Sequence, residues 1–253
     1  MDSYESVITD QYVLIFDDAK PVFLAVQNWL NKAKEYYSAD SEASEYAKII
    51  SDLSDSFKWL AFFEFDESNQ CKLHKRRVDL LEDLLGILNE TFYLTICREL
   101  WYELGMAYST ILDIKLDSFE KTKIQEPANP HVLNKINKLC KKSIQKFQQF
   151  IDSYKNKKGT KELPKEMPSD EFEPIMFAYF QIARLYYKII TPDRAMQLDN
   201  TRLSLQYYEL FVKGCEEYKD IAERMGGEFG VCKEMVSLLP LKIRKLNAEI
   251  AER

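Results

Sequence analysis

Apolar residues recur along this chain at three- and four-residue spacing, and most of the stripes run for about twenty residues before a break. That is the period of amphipathic helices, with one face inward and the other in water. Eight helices are predicted. The first spans 11–37 with Phe23, Val26, Leu30, Ala33 and Tyr37 inward; Pro21 either kinks it or marks its true first turn. The second spans 41–64 on Tyr46, Ile49, Ile50, Leu53, Phe57, Leu60 and Phe63, and the third 69–88 on Leu73, Leu80, Leu81, Leu84 and Leu88. The fourth has the clearest stripe: Leu94, Cys97, Leu100, Trp101, Leu104, Ala107, Tyr108, Ile111 and Leu112. Asn129 suits an N-cap and Pro130 the first position of a fifth helix over 130–155. Its stripe is Leu133, Ile136, Cys140, Ile144, Phe147, Ile151 and Tyr154. After a polar loop, Lys155 to Pro168, the sixth helix starts near Ser169 and ends before Pro192, with Ile175, Tyr179, Ile182, Ala183, Tyr186 and Ile190 inward. The seventh spans 199–225 on Leu203, Tyr207, Leu210, Phe211, Cys215, Tyr218 and Ala222, and Gly226-Gly227 breaks the chain. The eighth runs to near the end, bent or restarted at Pro240.

Composition agrees with a folded helical protein. Of the 253 residues 46% are hydrophobic, too many for a disordered chain, and 7 Gly with 8 Pro are too few for the turns of a β protein. The net charge of −6 counts against a general nucleic-acid binder and leans toward a basic protein partner. No apolar run is long enough to span a membrane, and Met-Asp-Ser-Tyr-Glu lacks a signal-peptide core. Cys71, Cys97, Cys140, Cys215 and Cys232 are odd in number and scattered, as expected for reduced thiols packed as small core residues in the cytosol.

A closed bundle and a solenoid of stacked hairpins both accommodate such helices. An internal repeat separates them. The fourth helix reads Trp101-x2-Leu104-Gly105-x2-Tyr108, the first-helix signature of a tetratricopeptide hairpin, in which aromatic residues fill the groove between hairpins and glycine admits a neighbour. The sixth repeats the frame as Tyr179-x2-Ile182-Ala183-x2-Tyr186, and Ser204-x3-Tyr208 in the seventh fits the second-helix pattern. Ala25-x3-Trp29 in the first also looks like a second helix, with no first helix before it. The expected fold is all-α, a tetratricopeptide-like α-solenoid of about four helical hairpins forming one domain over 1–253.

Several stretches, in order along almost the whole chain, resemble one family. They are Tyr12-Val-Leu-Ile-Phe-Asp-Asp18, Trp29-Leu-Asn-Lys-Ala33, Leu60-Ala-Phe-Phe-Glu64, Cys71-Lys-Leu-His-Lys-Arg-Arg77, Leu80-Leu-Glu-Asp-Leu-Leu85, Cys97-Arg-Glu-Leu-Trp101, Ala183-Arg-Leu-Tyr186 and Cys232-Lys-Glu-Met-Val-Ser-Leu-Leu-Pro240. The resemblance is to the C-terminal half of the kinesin-binding protein family. It implies a two-subdomain solenoid that binds kinesin motor domains, masks their microtubule-binding face and has no catalytic activity. Effects on transport, microtubule organisation and neuronal outgrowth follow, in a cytoplasmic, cytoskeleton-associated setting. Because family members use both subdomains, an N-terminal half of the same architecture is an implied partner.

No cofactor or metal is expected. Cys71-x2-His74 is half of a zinc spacing, and the other His, His131, lies far along the chain. G-x-S-x-G, P-loop, H-E-x-x-H and G-x-G-x-x-G patterns are absent, which disfavours an enzyme. Lys72, Lys75, Arg76 and Arg77 read first as a solvated helix face paired with nearby acids such as Glu82 or Asp83, and second as an anion or localisation patch. The loop lysines Lys155, Lys157, Lys158, Lys161 and Lys165 fit a soluble connector and a contact loop equally. Asp66 and Glu67, with Asp17, Asp18 and Glu64, are candidates for meeting the basic face that the resemblance implies in a motor domain. A rival reading is a generic tetratricopeptide scaffold or a co-chaperone gripping a peptide carboxylate; Tyr102, Met106, Phe180 and Arg184, which follow the repeat anchors, make no evident clamp.

Overall fold

A computed structural model describes residues 11–123, 129–155, 163–164 and 167–252. Among them the chain forms nine helices and no strand: α1 (Phe16–Tyr36), α2 (Ala43–Phe63), α3 (Glu67–Ile87), α4 (Leu94–Lys123), α5 (Pro130–Asp152), α6 (Ser169–Lys188), α7 (Arg194–Glu217), α8 (Lys219–Arg224) and α9 (Gly226–Ala251). Seven of the predicted helices correspond one to one. The predicted seventh differs at both ends. It begins at Arg194 because the Asp193 carboxylate accepts from the backbone N–H groups of Ala195 (2.8 Å) and Met196 (3.3 Å), an N-cap directly after Pro192. It stops at Glu217, where Tyr218 turns extended, and the short α8 follows. The break falls before Gly226, and both glycines belong to the first turn of α9. Pro21 and Pro240 lie inside α1 and α9, so neither starts a helix.

The chain divides into two compact units, Met1–Gln125 and Glu126–Arg253. In the first, α1 packs on α2, α2 on α3 and α3 on α4. In the second, α5 packs on α6, α6 on α7 and α7 on α9. A closed four-helix bundle would set the first helix of each unit firmly against the last. Among the described residues the substantial contacts instead run between chain neighbours, with α8 bridging α7 and α9, which is the connectivity of an α-solenoid.

Burial follows the predicted stripes in α2, α4 and α5. Ile49, Ile50, Leu53 and Leu60 are buried in α2; Cys97, Leu100, Trp101, Leu104, Ala107, Tyr108, Ile111 and Leu112 in α4; Ile136, Cys140, Ile144, Phe147 and Ile151 in α5. Each fully buried Leu, Ile or Phe contributes about 2 kcal/mol by leaving water. Two stripes turn. The buried face of α3 is His74, Arg77, Val78, Leu81 and Leu84, while Leu73, Leu80 and Leu88 are half-buried. In α7 the buried face is Leu198, Thr201, Ser204, Tyr208, Phe211, Gly214 and Cys215, and Leu210 is exposed. Gly214 has a packing reason: a Cβ there would lie 2.3 Å from Met176 Sδ and 3.3 Å from Phe172 Cζ, both on α6. Helix α1 buries only Ala19.

The five cysteines are free, and all but Cys71 are buried. Burial pushes the Cys215 thiol to about 11 and the Cys232 thiol to about 12, so both stay protonated and unreactive at neutral pH.

Candidate interaction surface

The two matching sequence frames are built differently. In the first unit Trp101, Leu104, Gly105 and Tyr108 are all buried on α4. The Tyr108 hydroxyl donates to Glu82 Oε1 on α3 at 2.9 Å, and burial, then this carboxylate, raises the phenol pKa. One side of the same α3–α4 seam carries Arg77, whose Nη2 donates to Glu103 Oε2 at 3.0 Å. Its Nη1 lies 3.4 Å from His74 Nδ1, and its buried Nε has no partner among the described residues. Burial first, then the Arg77 and Lys58 charges, lowers the His74 pKa to about 4, so the imidazole is neutral at physiological pH. A cation against Nδ1 also makes this histidine a poor metal ligand.

The basic run is therefore not one solvated face. Lys75 pairs with Asp79, Lys72 donates to Asn69 Oδ1 at 3.0 Å and Arg76 is exposed, but Arg77 is only 2% exposed. Its position one turn from His74 and Leu81 on the buried stripe was the sequence signal for this; the adjoining lysines obscured it.

In the second unit Tyr179, Ile182 and Ala183 are buried and Tyr186 is half-buried. The Ser204 hydroxyl donates to the Ala183 carbonyl at 2.8 Å, so small residues of the two hairpin helices meet. Tyr186 stacks on Tyr207 with centroids 6.0 Å apart, and the Tyr207 hydroxyl donates to Gln148 Oε1 at 2.7 Å.

The charged candidates mostly have local roles. Asp66 caps α3 by accepting from the Asn69 N–H at 2.8 Å. Glu67 pairs across to Lys121 on α4, which lowers its pKa. Lys155 pairs with Asp152 at 2.7 Å beside the end of α5. Asp17 and Asp18 lie in the first turn of α1, where negative charge suits the helix dipole, and the Glu64 carboxylate accepts from the Asp66 N–H at 3.0 Å. Lys157, Lys158, Lys161 and Lys165 lie outside the described residues.

Among the described residues, grooves open on the helices of each unit. One, of about 560 Å³, runs between α1 and α2 in the first unit. Val22, Phe23, Val26, Leu30, Leu60 and Phe63 form its walls, with Trp59, Asp52 and Asp55 along one side. Phe23 meets Phe57 edge-on at 5.1 Å below it, and Gln27 donates to Ser56 Oγ at 2.7 Å across it. Of the stripe predicted to face inward on the first helix, Phe23, Val26 and Leu30 are half-buried and line this open groove. The other groove, of about 390 Å³, lies in the second unit among α5, α6 and α7 and is amide-rich: Gln145, Gln148, Gln149 and Asn200, with Lys141 and Tyr186. Neither groove was legible as a site beforehand. Trp59 falling off the buried stripe of α2 was the available signal for the first.

Residues 1–246 match the model of a family described as KIF-1 binding protein C terminal. The chain belongs to this family. It is 41% identical to a KIF-binding protein of Drosophila melanogaster over 97% of its length, and 38% identical to one of Danio rerio over 98%. It spans only 40% and 39% of those proteins. A solved structure of a kinesin binding protein superposes with a TM-score of 0.57 at 33% identity, covering 87% of this chain and 44% of that one. The family takes its name from binding rather than from a reaction. No described helix is long and apolar enough to cross a membrane.

Proposed function

We propose that this chain binds kinesin motor domains and holds them off microtubules, as a cytoplasmic, cytoskeleton-associated regulator of microtubule-based transport, and that it does so without catalysis. The observation that carries this reading is the family match over residues 1–246, in relatives named for binding KIF proteins. The helical architecture supports it: neighbour-packed helices present extended faces and grooves, which suits protein recognition. In this reading 1–253 is one tetratricopeptide-like repeat domain, and Trp101, Leu104, Gly105, Tyr108, Tyr179, Ile182, Ala183 and Tyr186 set its packing. Asp66 and Glu67, Lys155 and the loop lysines Lys157, Lys158 and Lys161 are contact candidates around that frame.

The chain spans well under half of its relatives, so an N-terminal half of the same architecture, supplied separately, is part of the proposal. Microtubule co-sedimentation tests it. Kinesin motor domains are spun with microtubules in the presence of this chain, alone and with the N-terminal half of a relative. Motors leaving the pellet in either condition support the reading. Motors that stay bound in both, at saturating chain, would sink the inhibitory role.

A further inference from the structure

We infer that the α1–α2 groove is a docking site for an amphipathic helix with a basic flank, supplied by a partner protein. This goes beyond the proposed function and stands on the groove alone. The contributing positions recur along each wall at helical spacing: Val22, Val26 and Leu30 on α1, and Ser56, Trp59 and Phe63 on α2. Two antiparallel 21-residue helices with an open seam form a trough that accepts a third helix by the same ridge-and-groove packing that holds the pair.

Among the described residues nothing closes the apolar surface there. Trp59 is 63% exposed on a groove already lined by buried or half-buried Val22, Phe23, Val26, Leu30, Leu60 and Phe63. An exposed apolar patch of this kind marks an interaction surface. Charge decides which helix fits. Among the described residues the only charged side chains lining the groove are Asp52 and Asp55, both exposed and both negative, and Asp55 also acts on the Arg77 charge behind it. Lys58 leans over the neighbouring Trp59 ring at 5.9 Å and does not line the groove. The surrounding unit adds to the field: residues 1–125 hold 13 Lys and Arg against 23 Asp and Glu. A helix presenting Leu-like residues to the trough and Lys or Arg to Asp52 and Asp55 satisfies both features, whereas an acidic helix of equal hydrophobicity is repelled.

The test uses two synthetic helical peptides of about 18 residues, identical in a Leu stripe and differing only in Lys or Glu along its flanks. Fluorescence anisotropy measures their binding to the whole chain. The Lys peptide should bind at least about tenfold more tightly than the Glu peptide, with an affinity that falls as salt rises. Asp52→Asn with Asp55→Asn should remove most of that preference, and Trp59→Ser should weaken both peptides. All three positions are exposed, so circular dichroism should confirm unchanged folding. Equal binding of the two peptides, binding indifferent to these substitutions, or no binding would overturn the inference. So would sedimentation showing that a second copy of the chain occupies the groove and excludes the peptides.

Discussion

The two units use one sequence frame in different ways. The first is acidic, net −10, and seals its α3–α4 seam with polar pairs while leaving aromatic side chains on its surface. The second is basic, with 22 Lys and Arg against 18 Asp and Glu, and seals its α6–α7 seam with small residues and stacked tyrosines. The closing tyrosine shows the contrast. Tyr108 ends its frame in a hydrogen bond to a carboxylate, and Tyr186 ends the equivalent frame on another ring. A repeat motif therefore fixes where a ring goes and leaves open what holds it.

The contrast can be broken most severely at the small-residue seam. Gly214→Leu forces a branched side chain into space held by Met176 and Phe172, and should cost about 3 kcal/mol in urea unfolding. Gly214→Ala should cost far less, because the flexible end of Met176 can yield and alanine favours the helix. Equal effects of the two would mean that α6 and α7 do not approach as described.

At the polar seam the asymmetry of exposure sets the outcome. Glu103→Gln takes from the buried Arg77 guanidinium its ion-paired carboxylate, leaving only the unpaired charge of Asp55 nearby, and should cost about 3 kcal/mol. Arg77→Met leaves behind a carboxylate 37% exposed, which water can solvate, and should cost clearly less. The reverse ranking would contradict the buried placement of Arg77.

His74 couples the same seam to pH. Its ordinary value is 6.5 and its folded value about 4, so the unfolded chain binds the extra proton between those limits. The stability associated with neutral His74 is fully present above pH 6.5 and is lost as pH falls toward 4, by a total on the order of 3 kcal/mol. Unfolding curves of the native chain and of His74→Gln should diverge in slope over this window. Parallel curves would place His74 in water.

The smallest effects sharpen the tyrosine comparison. Tyr108→Phe should cost about 2 kcal/mol, since the lost hydrogen bond has a charged acceptor. Tyr186→Phe keeps the ring stack and should cost less than about 0.5 kcal/mol. Similar losses would mean that both rings are held the same way.

These features also mark where the sequence was readable. Periodicity located the helices because long stripes such as Cys97 to Leu112 bury almost as written. The Asn129-Pro130 start was legible because cap chemistry is local: Asn129 accepts from the His131 N–H at 2.9 Å. Asp193 offered the same signal, hidden beside Pro192. The buried face of α3 was misread because leucines outweighed Arg77 and His74 in the pattern, and carboxylates on other helices, Glu103 on α4 and Asp55 on α2, make that burial tolerable. Gly214 carried no motif, and its role depends on Met176 in another helix. The α1–α2 groove was illegible for a related reason: a stripe tells which face is apolar and not whether anything covers it.

Kinesin motor domains are the proposed partners of this family member. The most direct test is an equilibrium titration of the purified chain against a panel of immobilised motor domains by interferometry, with and without the N-terminal half of a relative. Saturable binding to some of the motors, alone or only with that half, is the predicted result. No binding to any motor in either condition would contradict the claim and leave a helical-repeat module with a different partner.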